Sequence, residues 1–381
     1  MSERFNGSFT QQEPIPQAGI DAAMAVLNHG RLHRYNTSGD EIAEAALLEE
    51  EFARLTGAKY CLAVASGGYA MTTALRACGI GHGDKVLTNA FTLAPVPGAI
   101  AAVGASPIFV GVTEDLVIDL EDLAAKIGQA SVLLLSHMRG HICDMDALMA
   151  LCDAAGVIVI EDCAHTMGAA WNGVASGRWG RFGCYSTQTY KHVNSGEGGL
   201  LISNDAEGMA RAIMLSGSYM LFERHRAAPP PETFAMLKYE TPNISGRMDN
   251  LRAAILRPQL RDLGTQAQRW NDRYRVLEDT LAQTTGLTAI GDDEAWDFCR
   301  FNDFVIATAP NNNPQYLSDI DSDTTWSALT GSPPEAKRCA RVGDFVMLGN
   351  LASGGNKIRW SHFNAPASSW AVDRLTQAGE A

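Results

Sequence analysis

One lysine, one aspartate and a run of small residues carry the chemistry this sequence offers. Asp162 closes VIVIED (157–162), four apolar residues followed by two carboxylates. A charge at the rim of a buried strand needs a partner, because an unpaired charge is costly to remove from water. Asp162 therefore either caps the segment that follows or faces a cationic group of a bound ligand. Lys191 stands in GCYSTQTYKHVNSGEGGLL (183–201), where an apolar strand gives way to polar residues and then to a glycine-rich loop. The chain has only seven lysines. A lysine enclosed in a dry pocket has a lowered pKa and can attack a carbonyl to form a Schiff base; the plainer reading is a loop lysine in solvent. The third element is SGGYAMTTALRA (66–77). Ser66, Gly67 and Gly68 lie between strand-like and helix-like residues, where bare backbone lets the first amides of a helix converge on an anion. The full G-x-G-x-x-G is missing, so a dinucleotide fingerprint is not supported.

Each signal is weak alone. An anion cradle, a carboxylate at a strand end and a lysine about thirty residues later are together what pyridoxal 5'-phosphate requires. The cradle takes the phosphate, the carboxylate keeps the pyridine nitrogen protonated, and the lysine carries the aldehyde as an imine.

These residues need a scaffold that gathers them, and the periodicity supplies one. From about residue 40 to 210 helix-like and strand-like segments alternate. Strands are expected at 60–65, 85–90, 107–111, 131–137 and 157–162, with helices at 41–56, from Tyr69 to Cys78, and from Met145 to Ala155. Such alternation indicates an α/β fold, a mostly parallel sheet with helices on both faces. Ligands gather beyond the carboxyl ends of such strands, so Ser66, Ser136, His137 and Asp162 are the polar strand-end residues to consider. The texture changes after about residue 225. One long helix, or two broken near Pro258, is expected over 247–285. Strand candidates follow at 303–309 and 356–363. The expected division is a large cofactor-binding domain, residues 1–245, and a smaller α+β C-terminal domain, residues 246–381.

Composition narrows the class. The apolar share is 46% and the charged share 19%, as in a globular enzyme rather than a disordered or fibrous chain. Thirty Lys plus Arg against 43 Asp plus Glu give a net charge of −13, which argues against a nucleic-acid partner. No apolar run is long enough to span a membrane, and no secretory signal is visible. Eight cysteines without a C-x-x-C read as reduced, buried thiols of a cytoplasmic protein. His137 and His141 are four apart with Gly140 between them, so no metal site is expected. ERHR (223–226), Arg178 and Arg181 read as solvated charge, or as one group for an acidic substrate. Trp360, His362 and Phe363 read as packing residues.

The motifs also carry a resemblance. SGGYAM, GIGHGDKV, GHICDMDAL, EDCAH and YSTQTYKHVNSGEGG arrive in that order. They resemble the S-G-T-A-A-L, G-I-G-x-G-D-E-V, G-x-x-A-D-M-D-A-L, E-D-A-A-Q and F-S-F-x-x-x-K-x-x-x-x-G-E-G-G of the DegT-type sugar aminotransferases, which share the aspartate-aminotransferase-like fold. The likeness runs from about residue 20 to 275. It implies that Lys191 is the Schiff-base lysine, that Asp162 pairs with the pyridine nitrogen and that Ser186 binds phosphate with Ser66, Gly67 and Gly68. His165 stands where the family has glutamine beside the cofactor's phenolic oxygen; a histidine can donate there, with a charge that varies near neutral pH. Departures are Gly68 for a threonine, Leu93 for an aromatic ring that Phe91 could replace, and Ser245 for an asparagine. Arg247 and Met248 match a stretch that reaches the neighbouring subunit's site, implying a homodimer.

The resemblance implies transfer of an amino group from an amino acid, glutamate or glutamine, to a keto group of a sugar, usually nucleotide-linked. Sugar dehydration is the alternative within the cofactor's chemistry, but family members of that kind carry histidine in place of the lysine. A non-catalytic cofactor-binding protein is the other.

Overall fold

The computed structural model describes residues 13–283 without a break. Beyond them it describes 296–301, 304–309, 313–317, 325–330, 332–342, 345–351, 354–361 and 379–380. Two compact units divide the chain, one containing Thr10–Arg269 and the other containing Trp270–Ala381. The expected boundary at 245 thus falls inside the first unit.

The first unit is built on a seven-stranded sheet. Its elements in chain order are α1 (Gln17–His29), α2 (Glu44–Thr56), β1 (Tyr60–Val64), α3 (Gly67–Ala77), β2 (Lys85–Asn89), α4 (Pro95–Ala102), β3 (Ser106–Val110) and α5 (Leu120–Lys126). They continue as β4 (Val132–Ser136), α6 (Met145–Ala155), β5 (Ile158–Asp162), the small hairpin β6 (Ala170–Trp171) and β7 (Val174–Ala175), β8 (Phe182–Ser186), β9 (Gly199–Ser203), α7 (Ala206–Leu215), α8 (Leu237–Glu240) and α9 (Asn250–Gln283), of which the residues up to Arg269 belong to this unit. The strand order is β1-β9-β8-β5-β4-β2-β3. The pairs β5–β8, β4–β5, β2–β4 and β2–β3 are parallel, and β9 runs antiparallel to both of its neighbours.

Strand alternation decides which layer each residue joins. Val86, Val132, Leu134 and Ile160 pack with α3, α4 and α7 on one face. Leu87, Leu133, Leu135 and Val159 pack with α5 and α6 on the other. The same alternation parts the two carboxylates at the end of β5. Glu161 faces the loop 177–180, whereas Asp162 lies beside Ser136 of β4.

The segment before α9 extends the sheet edge: Ala65 N–H donates to Gly246 O, Met248 N–H donates to Ala63 O, and Val64 and Arg247 form an antiparallel bridge. Of the two arrangements expected over 247–285, the structure has the single long helix, and α9 runs through Pro258. A proline removes one helical hydrogen bond. Here buried Ala253, Ala254, Leu256, Leu260 and Leu263 hold both sides of it against the core, and the Gln259 side chain donates through Nε2 to Ile255 O at 2.9 Å.

The second unit contains two antiparallel sheets. One joins β10 (Asp297–Phe301), β11 (Phe304–Thr308), β12 (Gln315–Leu317) and β13 (Ser327–Ala328). The other joins β14 (Ala336–Val342), β15 (Phe345–Leu351), β16 (Gly354–Trp360) and β17 (Gly379–Glu380). The strands expected at 303–309 and 356–363 correspond to β11 and β16. Trp360 ends β16 and pairs with Met347; His362 and Phe363 lie outside the described residues. No described helix is long and apolar enough to cross a membrane.

Candidate active site

The carboxyl ends of β1, β2, β4, β5 and β8 form one rim. Ser66 follows β1, and Asn89, Ser136, Asp162 and Ser186 each close a strand. A parallel sheet points these ends the same way, so side chains distant in sequence meet there.

Asp162 is buried. Its Oδ2 accepts the Ser136 hydroxyl at 3.1 Å, and its Oδ1 accepts the Ala164 amide at 3.1 Å. Ser136 in turn accepts the Thr92 hydroxyl at 2.8 Å, and Asn89 bonds both the Ser136 amide and carbonyl. Burial pushes the Asp162 carboxyl up, against the opposing pull of Ala164, Ser136, His137 and Lys191. Among the described residues this buried carboxylate has two neutral donors and no ion pair. Asp162 does not cap a helix, because a turn follows β5.

Lys191 follows β8 in the loop before β9. Its Nζ lies 2.8 Å from His165 Nε2. Burial pulls the amine below the ordinary lysine value, with Asp162 opposing and Arg139 assisting. His165 Nδ1 accepts the Arg139 amide at 3.1 Å. Burial, then Lys191, Arg139 and His192, push this imidazole down to about 4. The expectation of a charge varying near neutral pH is thereby corrected: the ring stays neutral there. It occupies a turn.

The anion cradle forms where α3 begins beside the end of β8. Ser66 caps α3 by accepting the Tyr69 amide at 3.0 Å. The first amides of a helix have no intrahelical acceptor, so those of Gly67 and Gly68 are available. A Cβ on Gly67 would lie 2.9 Å from Ser186 Cβ, so only glycine lets the two segments approach this closely. A Cβ on Gly68 would meet only Ser66 Oγ, at 3.8 Å. Ser186 Oγ accepts the Gln188 amide at 3.3 Å, which leaves its proton for an anion. The donor set suits a phosphate monoester, and the lysine and carboxylate nearby suit an aldehyde-bearing pyridine. These residues fit pyridoxal phosphate.

Other sequence candidates fall elsewhere. His137 is buried and bonds Glu161, whose carboxylate also accepts the amides of Gly177, Trp179 and Gly180; His141 is exposed. Cys163 completes a buried group with His137 and Glu161, but those four donors already occupy both Glu161 oxygens. ERHR is not simply solvated. His225 is buried against Glu49, Arg34 and Tyr35, Arg224 reaches Tyr35 O, and Arg226 pairs with Glu50. Arg181 pairs with Asp205. Leu93 is exposed and Phe91 half-buried. Arg247 bonds Gly217 O at 2.6 Å and lies 4.7 Å over the Tyr219 ring, whose hydroxyl meets Ser245 Oγ at 3.1 Å. Sequence reasoning named Ser136 only as a strand end and missed Asn89, Thr92 and Arg139.

A mostly parallel sheet with this rim defines the aspartate-aminotransferase-like fold, shared by solved aminotransferase structures. The 3-amino-5-hydroxybenzoic acid synthase structure matches with a TM-score of 0.63 at 28% identity, covering 76% of this chain and 71% of that one. The DegT/DnrJ/EryC1/StrS aminotransferase family matches residues 17–316, and the chain belongs to that family. An L-glutamine:2-deoxy-scyllo-inosose aminotransferase of Streptomyces lividus is 31% identical over 279 residues, 72% of this chain and 65% of that protein. A UDP-N-acetyl-3-dehydro-alpha-D-glucosamine 3-aminotransferase of Acidithiobacillus ferrooxidans is 30% identical over 276 residues, 70% of each chain. The chain thus spans just under two thirds of the length of the first of these relatives.

Proposed function

We propose that this protein is a pyridoxal-phosphate-dependent aminotransferase that moves an amino group from glutamate or glutamine to the ketone of a sugar or a related polyhydroxylated ring. The reading rests on one observation: a lysine amine with its charge disfavoured by burial shares a rim with a buried carboxylate that forms no ion pair among the described residues and with the open start of a helix. The names of the relatives, an inosose and a UDP-sugar aminotransferase, support the acceptor class, and a nucleotide-linked sugar is the specific acceptor proposed.

The α3 amides of Gly67 and Gly68, with Ser66 and Ser186, would hold the phosphate, Asp162 the ring nitrogen, and His165 the phenolic oxygen. When bound, the cofactor supplies an aldehyde for imine formation and a ring that withdraws electrons. Lys191 Nζ, whose proton burial disfavours, is the group that would carry the aldehyde. Once free again, the same atom takes a proton from the donor's α-carbon and returns it on the other side of the transfer. Asp162 contributes its negative charge without moving a proton. Ser136 and Ala164 keep its two oxygens in place.

A homodimer is proposed as well. Tyr219, Met220, Met236, Tyr239 and Ile244 are exposed apolar side chains close in sequence to Arg247, and a cluster of that kind suits a subunit contact. The eight free thiols, six of them buried, support a cytoplasmic location.

The test is spectroscopic. The protein saturated with pyridoxal phosphate should absorb in the visible, and added glutamate or glutamine should bleach that band. Lys191→Ala should abolish the exchange, and a variant turning over at the wild-type rate would refute the lysine's role. The bleached form should then be offered nucleotide-linked and free keto sugars and inososes.

A further inference from the structure

We infer that Arg139 is a positioning residue for this site: its backbone amide fixes His165 as the Nε2–H tautomer, which makes the ring an obligate donor toward the Lys191 amine. The inference deepens the function proposed above and rests on Lys191 being the imine-forming amine.

The reasoning is a proton count. A neutral imidazole carries one N–H, and the partner of one nitrogen determines the state of the other. His165 Nδ1 lies 3.1 Å from the Arg139 amide, a group that can only donate. Nδ1 must therefore present its lone pair, and the ring proton sits on Nε2. Nε2 in turn lies 2.8 Å from Lys191 Nζ. An ammonium has no lone pair to accept with, so this contact requires Lys191 in its uncharged form, the form that attacks a carbonyl. An imidazolium would put N–H against N–H at Arg139 and forfeit that bond.

Arg139 reaches this position through an unusual backbone. Its φ is 58° and ψ 14°, and Gly140 follows at φ 91°. A non-glycine residue in the left-handed region costs about 1–2 kcal/mol, and such residues persist where the surroundings hold them. The surroundings here are two turn bonds, Gly140 N–H to His137 O and His141 N–H to Met138 O. His137 N–H also bonds Asp162 O, so the turn that aims the Arg139 amide is tied to the strand that ends in Asp162. The charged and titratable groups acting on His165 are Lys191, Arg139 and His192. All three oppose a positive ring, in the same direction as the amide.

The experiment is 15N NMR of the histidine side chains in the full-length protein without cofactor, with His165 assigned by its disappearance in His165→Gln. Its readout is the tautomer, so it holds whether or not the protein proves to be a transaminase. The expected spectrum shows Nε2 protonated, Nδ1 bare and no titration of the ring between pH 6 and 8. A ring protonated at Nδ1, or one titrating near the free value of about 6.5, would overturn the inference. Arg139→Gly keeps the amide and should leave the tautomer unchanged. Arg139→Pro removes the N–H and, with φ held near about −65°, also the left-handed turn that aims it; it should mix the tautomers and raise the ring's midpoint by about one pH unit. A folded Arg139→Pro protein with the wild-type spectrum would show that the amide is not the lock. Should that variant not fold, the wild-type and Arg139→Gly spectra still decide the matter.

Discussion

Replacing Ser136 by alanine should raise the midpoint at which Asp162 titrates by about one pH unit. Asp162 has two hydrogen bonds among the described residues, from the Ser136 hydroxyl and the Ala164 amide, each 3.1 Å long. A hydrogen bond to a charged group contributes about 1.5–3 kcal/mol. At 3.1 Å the hydroxyl bond is longer than a strong charge-assisted one, which places it at the low end, and about 1.4 kcal/mol corresponds to one pH unit. Burial already pushes this carboxyl up, so the loss adds in the same direction. The sign for stability follows. Above the folded midpoint the carboxyl is ionised in both states, and the variant is less stable by about 1.4 kcal/mol. Below the unfolded value of about 3.9 it is protonated in both, and the difference vanishes. Two measurements check this: the Asp162 carboxyl titration by 13C NMR in the cofactor-free protein, and the acid limb of cofactor retention followed by visible absorbance. Both should move together. A Ser136→Ala protein whose Asp162 titrates as in the wild type would show that the hydroxyl does not hold the charge, and the account of the rim would fail. Thr92→Val removes only the donor behind Ser136 and should move the midpoint by less.

Other outcomes test the frame of the site. Gly67→Ala forces a Cβ to within 2.9 Å of Ser186 Cβ; overpacking of about 1–3 kcal/mol should weaken cofactor retention by about tenfold or more. Gly68→Ala adds only an ordinary contact with Ser66 Oγ at 3.8 Å and should leave retention unchanged, both read by equilibrium dialysis against pyridoxal phosphate. Glu49 is buried and bonds Arg34, the Ala63 amide and His225. Glu49→Gln strands the buried Arg34 charge and should cost about 3–5 kcal/mol in urea unfolding. Although burial raises the Glu49 carboxyl, Arg34 and His225 hold it down to about 2. Its stabilisation should therefore be fully present above the unfolded value of about 4.3 and disappear as pH falls through about 2. Wild-type unfolding free energies that stay flat over that window would contradict this.

Much of the fold was legible because strand and helix periods are written locally. VIVIED announces β5, and its alternation places Glu161 and Asp162 on opposite faces. Lys191, Asp162 and the Ser66–Gly68 turn were legible for the same reason, since polar residues at the ends of apolar strands have few other places to go. Pro258 left one helix or two open in the sequence, and packing on both sides of it outweighs the local penalty and decides for one. ERHR misled because nothing in those four residues shows that His225 meets Glu49 across a separation of 176 residues.

Residue types and their order thus point to the chemistry proposed, an amine for a carbonyl, a carboxylate for a cation and amides for an anion, and to the layered sheet that brings strand ends side by side. Only the folded chain settles how those groups are set to work. That Ser136 and Thr92 support Asp162, that His165 faces Lys191, and that a left-handed Arg139 supplies the amide behind that ring all depend on distances between segments far apart in sequence. Hydrogen bonds act over about 3 Å, and no local pattern encodes which distant donor arrives within that range.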